Sequence, residues 1–199
     1  MRQKELEIFL SQIETFKAPK IALEQYQTPP RIAALITWRA LQLGDIKDKV
    51  VADFCCGTGI FAIAAALLGA KSVFGFDIDS NAIDIAKENA KKLGVIVNWQ
   101  VRDIRTIEKK FDTVLMNSPF GVKSSTRDRV FLKAALQASD VTYSLHLYLD
   151  KNIEFLRNFI KKNGKKVSEI MKAEFELPYL YSFHKKRYHL IKVAIIRSC

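Results

Sequence analysis

The sequence predicts an α/β fold with a mainly parallel seven-stranded sheet, helices on both faces and an antiparallel last strand. After Gly44, short apolar runs alternate with stretches whose apolar residues repeat at helical spacing. Strands separated by helices form βαβ units, which build parallel sheets. In addition, 49% of the 199 residues are hydrophobic. This content excludes a disordered or fibrous chain and predicts one domain with a substantial core.

The predicted elements follow in order along the chain. Two N-terminal helices are expected at Glu5–Phe16 and Arg31–Leu43, with Thr28 as a cap and Pro30 in the first turn of the second helix. The strands are predicted at residues 50–54, 72–77, 95–101, 113–117, 141–149, 167–177 and 189–196. Further helices are expected from Thr58, from Ser80, near 127–139 and over 150–162.

Cysteine usage and the first residues favour a reduced, cytoplasmic protein. Cys55 and Cys56 are adjacent and Cys199 is the last residue, so a disulfide framework is not expected, and neither is a metal site. The segment MRQKELEIFL carries charges where a signal peptide needs an apolar run. No continuous membrane span is expected either.

Positive charge is concentrated in the last quarter of the chain. The net charge is +11, and residues 151–199 carry 12 Lys and Arg against 4 Asp and Glu. A basic surface attracts polyanions through the release of counterions. Charge alone leaves nucleic-acid binding and a merely solvated basic face as equal alternatives.

Polar or glycine-rich sequence follows three successive strands, and parallel sheets bind ligands at that edge. The first strand ends in Asp53, followed by Gly57 and Gly59, which allow a sharp turn before a helix with free N–H groups. The second ends in Asp77, a carboxylate that can accept both hydroxyls of a ribose. Asp103 follows the third strand and can accept from an exocyclic amine, or form an ion pair with a neighbouring arginine.

The glycine motif alone leaves two classes of cofactor open. Gly57-x-Gly59-x-x-Ala62, with Asp77 twenty residues after the first glycine, also fits the dinucleotide fingerprint. The carboxylate at the second strand end suits NAD and S-adenosylmethionine equally. The end of the fourth strand is therefore needed to choose between the two cofactors.

The fourth strand ends in Asn117-Ser118-Pro119-Phe120, which favours the methyl donor. An amine conjugated to a ring is a poor nucleophile because its lone pair is delocalised. Acceptors on its N–H groups favour the pyramidal form, whose lone pair can attack a methyl group. The Asn117 side-chain oxygen and the Ser118 carbonyl supply two such acceptors, and Phe120 can stack on the base.

Together, DFCCGTG, FDID, RDI and NSPFG resemble the S-adenosylmethionine-dependent methyltransferases that act on amino groups, whose fourth motif reads (N/D/S)PP(F/Y/W). With LEQYQTPP at 23–30 and YSFHKKR at 181–187, the chain resembles the small-subunit rRNA adenine N6-methyltransferases of archaea and eukaryotes. The resemblance runs from about residue 3 to residue 197. It implies a Rossmann-like class I methyltransferase domain over 1–199, with residues 1–45 covering the cofactor and 46–199 forming the catalytic core.

The resemblance also implies roles for individual residues. Those assigned to S-adenosylmethionine are Gln25, Tyr26, Thr28, Asp53, Gly57, Gly59, Asp77 and Asp103. Those assigned to the target adenine are Asn117, Ser118, Pro119 and Phe120. Those assigned to the substrate-binding face, where aromatics interleaved with cations suit splayed RNA bases, are Phe183, His184 and Lys185. Independently of the resemblance, Lys123 and Arg127 directly follow the Asn117 loop and either contact phosphates or belong to a solvated loop.

One position departs from the family motif. Ser118 stands where the family has its first proline, so the loop loses a fixed φ and gains a donor, although the proposed role uses only the backbone carbonyl. The expected partners are an RNA substrate and, by resemblance, a small zinc-binding activator subunit. Two alternatives stay open: a protein glutamine N5- or DNA adenine N6-methyltransferase, and a non-catalytic assembly factor that binds the cofactor or RNA.

Overall fold

The computed structural model describes residues 1–119, 125–178 and 188–199, and gives the backbone alone at 125–128, 177–178 and 188–189. Within these ranges the helices are α1 (Gln3–Leu10), α2 (Pro30–Gln42), α3 (Ile60–Leu67), α4 (Ser80–Lys92), α5 (Ser125–Ala138) and α6 (Asp150–Lys162). The strands are β1 (Val50–Phe54), β2 (Ser72–Asp77), β3 (Asn98–Val101), β4 (Phe111–Met116), β5 (Ser139–Leu147), β6 (Val167–Pro178) and β7 (Tyr188–Ser198). The predicted alternation of strands and helices is confirmed.

The seven strands of the described chain form one sheet in the order β3-β2-β1-β4-β5-β7-β6. Strands β1 to β5 pair in parallel, whereas β7 lies between β5 and β6 and runs antiparallel to both. The predicted mainly parallel sheet with an antiparallel last strand is therefore confirmed. The strand order reverses between β1 and β4, and open α/β sheets bind their ligands at such a reversal.

Two apolar layers hold the helices against the sheet. On one face, α1, α2 and α3 pack around fully buried side chains such as Leu6, Ile36 and Ile63. On the other face, α5 and α6 bury Leu132 and Ile160. Burial of one such side chain contributes about 1.5–3 kcal/mol, so apolar packing fixes both layers. Among the helices of the described ranges, none combines the length and apolar character required to cross a bilayer.

The first helix is shorter than predicted, because it ends at Leu10 and not at Phe16. The Ser11 hydroxyl donates to the carbonyl of Ile8 at 2.7 Å, a contact made at the end of the helix. The chain then turns so that the Glu14 backbone N–H donates to the buried Asn89 side chain at 2.8 Å. Tertiary contacts thus override the helical spacing of the apolar residues.

The third strand also begins later than predicted, at Asn98 and not at Val95. The Val95 N–H donates to the carbonyl of Ala90 at 3.0 Å and so closes α4. Ile96 is 90% exposed, whereas Val95 and Val97 pack partly buried against the core, so the apolar run contributes to packing without forming a strand.

Candidate active site

A cleft of about 610 Å³ opens at the carboxyl ends of the parallel strands, within the roughly 300–1,000 Å³ that is usual for small-molecule sites. The predicted site residues that line it are Gln25, Tyr26, Gly57, Asp77, Asp103, Asn117 and Pro119. The fold therefore brings together residues that lie far apart in the sequence, at the reversal of strand order.

The turn after β1 is bonded to the end of β2. Gly57 has a φ of +52°, and its N–H donates to Asp77 Oδ2 at 2.8 Å. The other oxygen of Asp77 accepts from the backbone N–H of Asp79 at 2.9 Å. Burial raises the pKa of Asp77. Each carboxylate oxygen has a second lone pair, so Asp77 can still accept hydroxyl donors from a ligand in the cleft.

Gly57 also lies against the N-terminal segment. A Cβ at this position would sit 3.0 Å from the ring of Phe16, so the aromatic ring packs directly over the turn. Phe16 itself lines the cleft. This close approach explains why a glycine is needed here in addition to its positive φ.

Three predicted cofactor residues, Thr28, Asp53 and Gly59, are not part of the cleft lining. Asp53 is 1% exposed, and its Oδ2 accepts from the Ala62 N–H in the first turn of α3 at 2.9 Å. Its Oδ1 is buried and has no hydrogen-bond partner among the described residues. Burial raises the pKa of Asp53 well above its ordinary value.

Gly59 allows close packing between neighbouring elements. Its φ is +91°, and a Cβ there would lie 2.6 Å from the Trp99 ring and 3.1 Å from the Ala86 side chain. Glycine at this place allows α3, α4 and β3 to approach one another, and so fixes the start of α3 beneath the cleft.

Asp103 is engaged by the neighbouring Arg105. Both of its carboxylate oxygens lie 2.9 Å from Arg105 Nε, and hydrogen bonds from Arg105 hold the pKa of Asp103 below its ordinary value. The ion pair that the sequence left as an alternative is therefore present. Asp103 still lines the cleft, so a ligand amine would share this carboxylate with the arginine.

Asn117 follows β4 and presents two different atoms. Its Nδ2 donates to the Thr28 hydroxyl oxygen at 2.9 Å. Its Oδ1 is buried without a hydrogen-bond partner in the described part of the chain, and the residue lines the cleft. Ser118, the next residue, is fully buried. The end of β4 therefore offers the cleft an acceptor that the described residues leave free.

Thr28 lies beside the cleft. It is 5% exposed and lines a small pocket of about 30 Å³ that shares Tyr26, Gly57 and Asn117 with the cleft. The helix cap predicted for it is wrong, because Pro29 is the N-cap of α2 and no side chain caps that helix. The Thr28 side chain instead contacts Asn117, since its position just before the helix directs it towards the end of β4.

The segment between α1 and α2 covers the cleft and is tied down by α4. Asp79 Oδ1 accepts from Lys20 Nζ at 2.7 Å, and Oδ2 accepts from Gln25 Nε2 at 2.8 Å. Burial acts to raise the pKa of Asp79, but the hydrogen bonds from Lys20 and Gln25 outweigh it, and the net pKa is lowered. Asn89 adds a second tie, because its Nδ2 donates to the carbonyls of Glu14 and Thr58 at 3.1 and 3.0 Å.

Sequence reasoning missed Phe16, Arg105, Phe131 and Asn89. The first three line the cleft. No local sequence pattern marks them as site residues, because each reaches the cleft from outside the glycine turn and the strand ends. Asn89 did carry a signal, because an amide stands among the buried alanines of α4. Buried polar side chains of this kind need partners, which here are two loops of the site.

Several predicted residues lie outside the described ranges. They are Phe120, Lys123, Phe183, His184 and Lys185, together with the side chain of Arg127. Their roles in base stacking and RNA contact stay predictions.

The residues present fit S-adenosylmethionine. Its ribose requires acceptors, which Asp77 supplies. Its adenine requires apolar contact, and Phe16, Ile78 and Ile104 line the cleft. The Asp53 oxygen that the described residues leave unpartnered lies outside the lining of the cleft, and Asp53 instead holds the start of α3 through the Ala62 N–H. The chemistry of the cleft thus matches the ribose and the adenine of this cofactor.

Comparison with known proteins divides the chain into two parts. The family model for ribosomal protein L11 methyltransferase matches residues 35–118, from α2 to the end of β4. The rRNA N6-adenosine methyltransferases METTL5 of Danio rerio and Drosophila melanogaster are 39% and 36% identical to this chain. Each alignment covers 99% of this chain, and 98% and 96% of the respective relatives. The second likeness extends through β5, β6 and β7.

Solved structures show the same fold over most or all of the chain. The crystal structure of a Pyrococcus horikoshii protein described as a candidate RNA methyltransferase superposes with a TM-score of 0.93 at 39% identity, covering 100% of this chain and 97% of that one. Magnesium protoporphyrin IX methyltransferase of Synechocystis, with bound S-adenosylmethionine, has a TM-score of 0.67 at 15% identity, over 84% and 77% of the two chains. The predicted Rossmann-like methyltransferase fold is confirmed.

Proposed function

The chain belongs to the family of rRNA N6-adenosine methyltransferases, and from that premise we propose that it methylates the N6 amine of an adenosine in ribosomal RNA, using S-adenosylmethionine. The observation that carries the proposal is the free Oδ1 of Asn117. This oxygen is buried, unpartnered within the described residues and part of a residue that lines the cleft.

The chemistry of the amine explains why a free acceptor matters. The N6 nitrogen of adenine shares its lone pair with the ring, so the amine must become pyramidal before it can attack. Asn117 Oδ1 and the Ser118 carbonyl accept the two N–H hydrogens and stabilise that form. Because the carbonyl belongs to the backbone, serine in place of the family proline leaves this acceptor in the chain.

The bound cofactor supplies an electrophilic methyl group on a sulfonium that is already a good leaving group. The chain mainly has to align donor and acceptor, and such alignment can lower the activation barrier by about 7–11 kcal/mol. Asp77 accepts from the ribose, Asp53 fixes the first turn of α3 next to the methionine part through the Ala62 N–H, and the segment around Phe16 covers the cleft. The proton leaves after the amine has become cationic, so the reaction needs no strong base.

A second candidate, methylation of a glutamine side chain, has one observation in its favour. An N5-glutamine methyltransferase candidate of Methanocaldococcus jannaschii is 34% identical, but over only 61% of this chain. A glutamine amide poses the same nitrogen problem as adenine. The RNA proposal is preferred because its relatives cover nearly the whole chain, including residues 151–199, where 12 Lys and Arg face 4 Asp and Glu.

Methyl transfer from labelled S-adenosylmethionine tests the proposal. Small-subunit rRNA, duplex DNA and a glutamine-containing ribosomal protein fraction are incubated separately with the enzyme, and the products are hydrolysed to nucleosides or amino acids. We expect label in N6-methyladenosine from rRNA alone. Label in N5-methylglutamine or in DNA would show that the substrate is a protein or DNA and not RNA. Binding of cofactor and RNA without any transfer would indicate a non-catalytic assembly factor.

Salt dependence tests the RNA partner separately. If the basic last quarter contacts phosphates, the affinity for rRNA falls by about 10³-fold or more between 50 and 200 mM salt for six or more contacts. A flat response would remove the phosphate-binding role from residues 151–199. The zinc-binding subunit implied by the resemblance stays a prediction, which copurification from the native host tests.

A further inference from the structure

The strongest unassigned feature is the hydrogen bond between Thr28 and Asn117. These residues stand 89 positions apart, and the amide nitrogen of Asn117 lies 2.9 Å from the Thr28 hydroxyl oxygen. Thr28 is buried and, together with Asn117, lines a small pocket of about 30 Å³ that adjoins the cleft. Its hydroxyl therefore contacts the reacting residue at the edge of the cleft, where the Phe16 side chain and the turn at Gly57 also meet.

Asn117 needs an external contact to hold its amide plane. The last side-chain torsion of asparagine joins an sp³ to an sp² carbon, and its energy profile is broad. The residue also lies just beyond the end of β4, where the sheet no longer restrains it. Because Oδ1 has no partner in the described residues, the bond from Nδ2 to Thr28 is the one side-chain hydrogen bond that the described residues give this amide.

Thr28 is well suited to provide that contact because its own position is fixed. The two residues that follow are prolines, and a residue before proline has a restricted backbone. The carbonyl of Pro29 accepts from the N–H groups of Ile32 and Ala33 at 2.9 and 3.0 Å, and both of those side chains are fully buried. Threonine adds a stiff, β-branched side chain.

We propose that Thr28 is a positioning residue, whose hydroxyl holds the Asn117 amide so that Oδ1 faces the incoming amine. The inference rests on the proposed function, because it assumes that Asn117 Oδ1 accepts from the substrate. It assigns to the residue before the N-cap of α2 a part in catalysis that acts through Asn117.

Two substitutions separate the hydroxyl from the shape of the side chain. Thr28→Val keeps the β-branched shape and leaves Asn117 Nδ2 without its acceptor, so we expect the single-turnover rate at saturating cofactor and rRNA to fall about 10–100-fold. Thr28→Ser keeps the hydroxyl and should restore most of that rate. The cofactor Kd, measured by calorimetry, should stay within about twofold in both variants, because on this proposal the hydroxyl acts through the Asn117 amide and not through the cofactor.

A different pattern would overturn the inference. If Thr28→Val weakens cofactor binding tenfold or more but reacts at the normal rate once saturated, Thr28 contacts the cofactor. If Thr28→Val and Thr28→Ser lose equal activity, the hydroxyl has no positioning role. Thermal unfolding verifies that each variant is folded, and Thr28→Ala replaces Thr28→Val should the latter not fold.

A double-mutant cycle distinguishes failure of this inference from failure of the proposed function. In an Asn117→Ala background, Thr28→Val should cause no further loss, because there is no amide left to position. A full additional loss in that background would show that Thr28 acts independently. If Asn117→Ala alone is as active as the wild type, the proposed function itself is wrong at Asn117.

Discussion

Two polar clusters, one around Asp45 and one around Asn117, lie at opposite ends of the parallel strands and differ in how their side-chain oxygens are partnered. At the amino ends, Asp45 Oδ2 accepts from the Tyr143 hydroxyl at 2.6 Å and from Arg197 Nε at 2.8 Å. Its Oδ1 accepts from Arg197 Nη2 at 3.1 Å. At the carboxyl ends, Asp53 and Asn117 each keep one buried oxygen without a partner among the described residues.

The difference shows how the fold separates stability from function. A buried polar atom without a hydrogen bond costs free energy, so an unpartnered acceptor persists only where something else compensates it. Both carboxylate oxygens of Asp45 accept hydrogen bonds from within the protein, and these bonds hold β5, β7 and the loop before β1 together. At Asn117 the oxygen that the described residues leave unpartnered lacks a donor that the amine of a bound substrate would supply.

The largest expected effect is loss of stability at the amino ends. Asp45→Asn removes the charge that pairs with Arg197 and leaves one of its donors without an acceptor, so we expect the free energy of unfolding to fall by about 3 kcal/mol. Urea denaturation measures this, with Asp84→Asn as the matched control, because Asp84 forms only an exposed pair with Lys87. A loss no larger than that of the control would mean that the Asp45 cluster does not hold the fold.

An intermediate effect is expected on cofactor affinity. Asp77→Asn places an amide N–H near backbone donors and removes the charge-assisted acceptor for the ribose. A hydrogen bond to a charged group is worth about 1.5–3 kcal/mol, so the cofactor Kd should rise about 10–100-fold. Calorimetry measures the Kd, and little change in Kd would remove Asp77 from the cofactor site.

The smallest effect is a pH-dependent difference in stability at Asp53. Burial raises its folded-state pKa, so the folded state binds the proton more tightly than the unfolded state does. The stability contributed by that proton is complete below the unfolded value of about 3.9 and is lost as the pH rises through the folded pKa. Asp53→Asn stays neutral, so the variant should gain stability relative to the wild type as the pH rises.

Unfolding in urea at pH 4.5, 6 and 7.5, without cofactor, measures this difference. A difference that is constant with pH, or that turns against the variant as the pH rises, would contradict the assignment. The same acid-to-amide change is thus expected to lower stability at Asp45, whereas at Asp53 its effect becomes more favourable as the pH rises.

Much of the fold was predictable because the relevant signals are local. Apolar runs at strand length and helical spacing gave seven strands in the right order, and the residues after β1, β2 and β4 were found from their position at strand ends. The predictions failed where tertiary contacts override local pattern. Helix α1 stops at Leu10 because Glu14 bonds to Asn89, a partner that no local pattern identifies.

The contacts within the site were less predictable than its residues. Thr28-Pro29-Pro30 suggested a helix cap, yet the hydroxyl contacts Asn117 across 89 positions. The sequence left the Asp103 carboxylate between a cofactor amine and a neighbouring arginine, and only the structure shows that Arg105 contacts both oxygens. Residue type and strand position indicate which groups reach the cleft, whereas the choice among competing partners depends on distances that only the folded chain sets.

The most direct test of the central claim compares Asn117→Ala with the wild type in three measurements. Loss of the free acceptor should lower the single-turnover rate of rRNA methylation by about 10²–10³-fold. The cofactor Kd and the free energy of unfolding should change little. Normal turnover, or a loss of activity fully accounted for by unfolding or by weaker cofactor binding, would contradict the claim that the unpartnered oxygen of Asn117 receives the substrate amine.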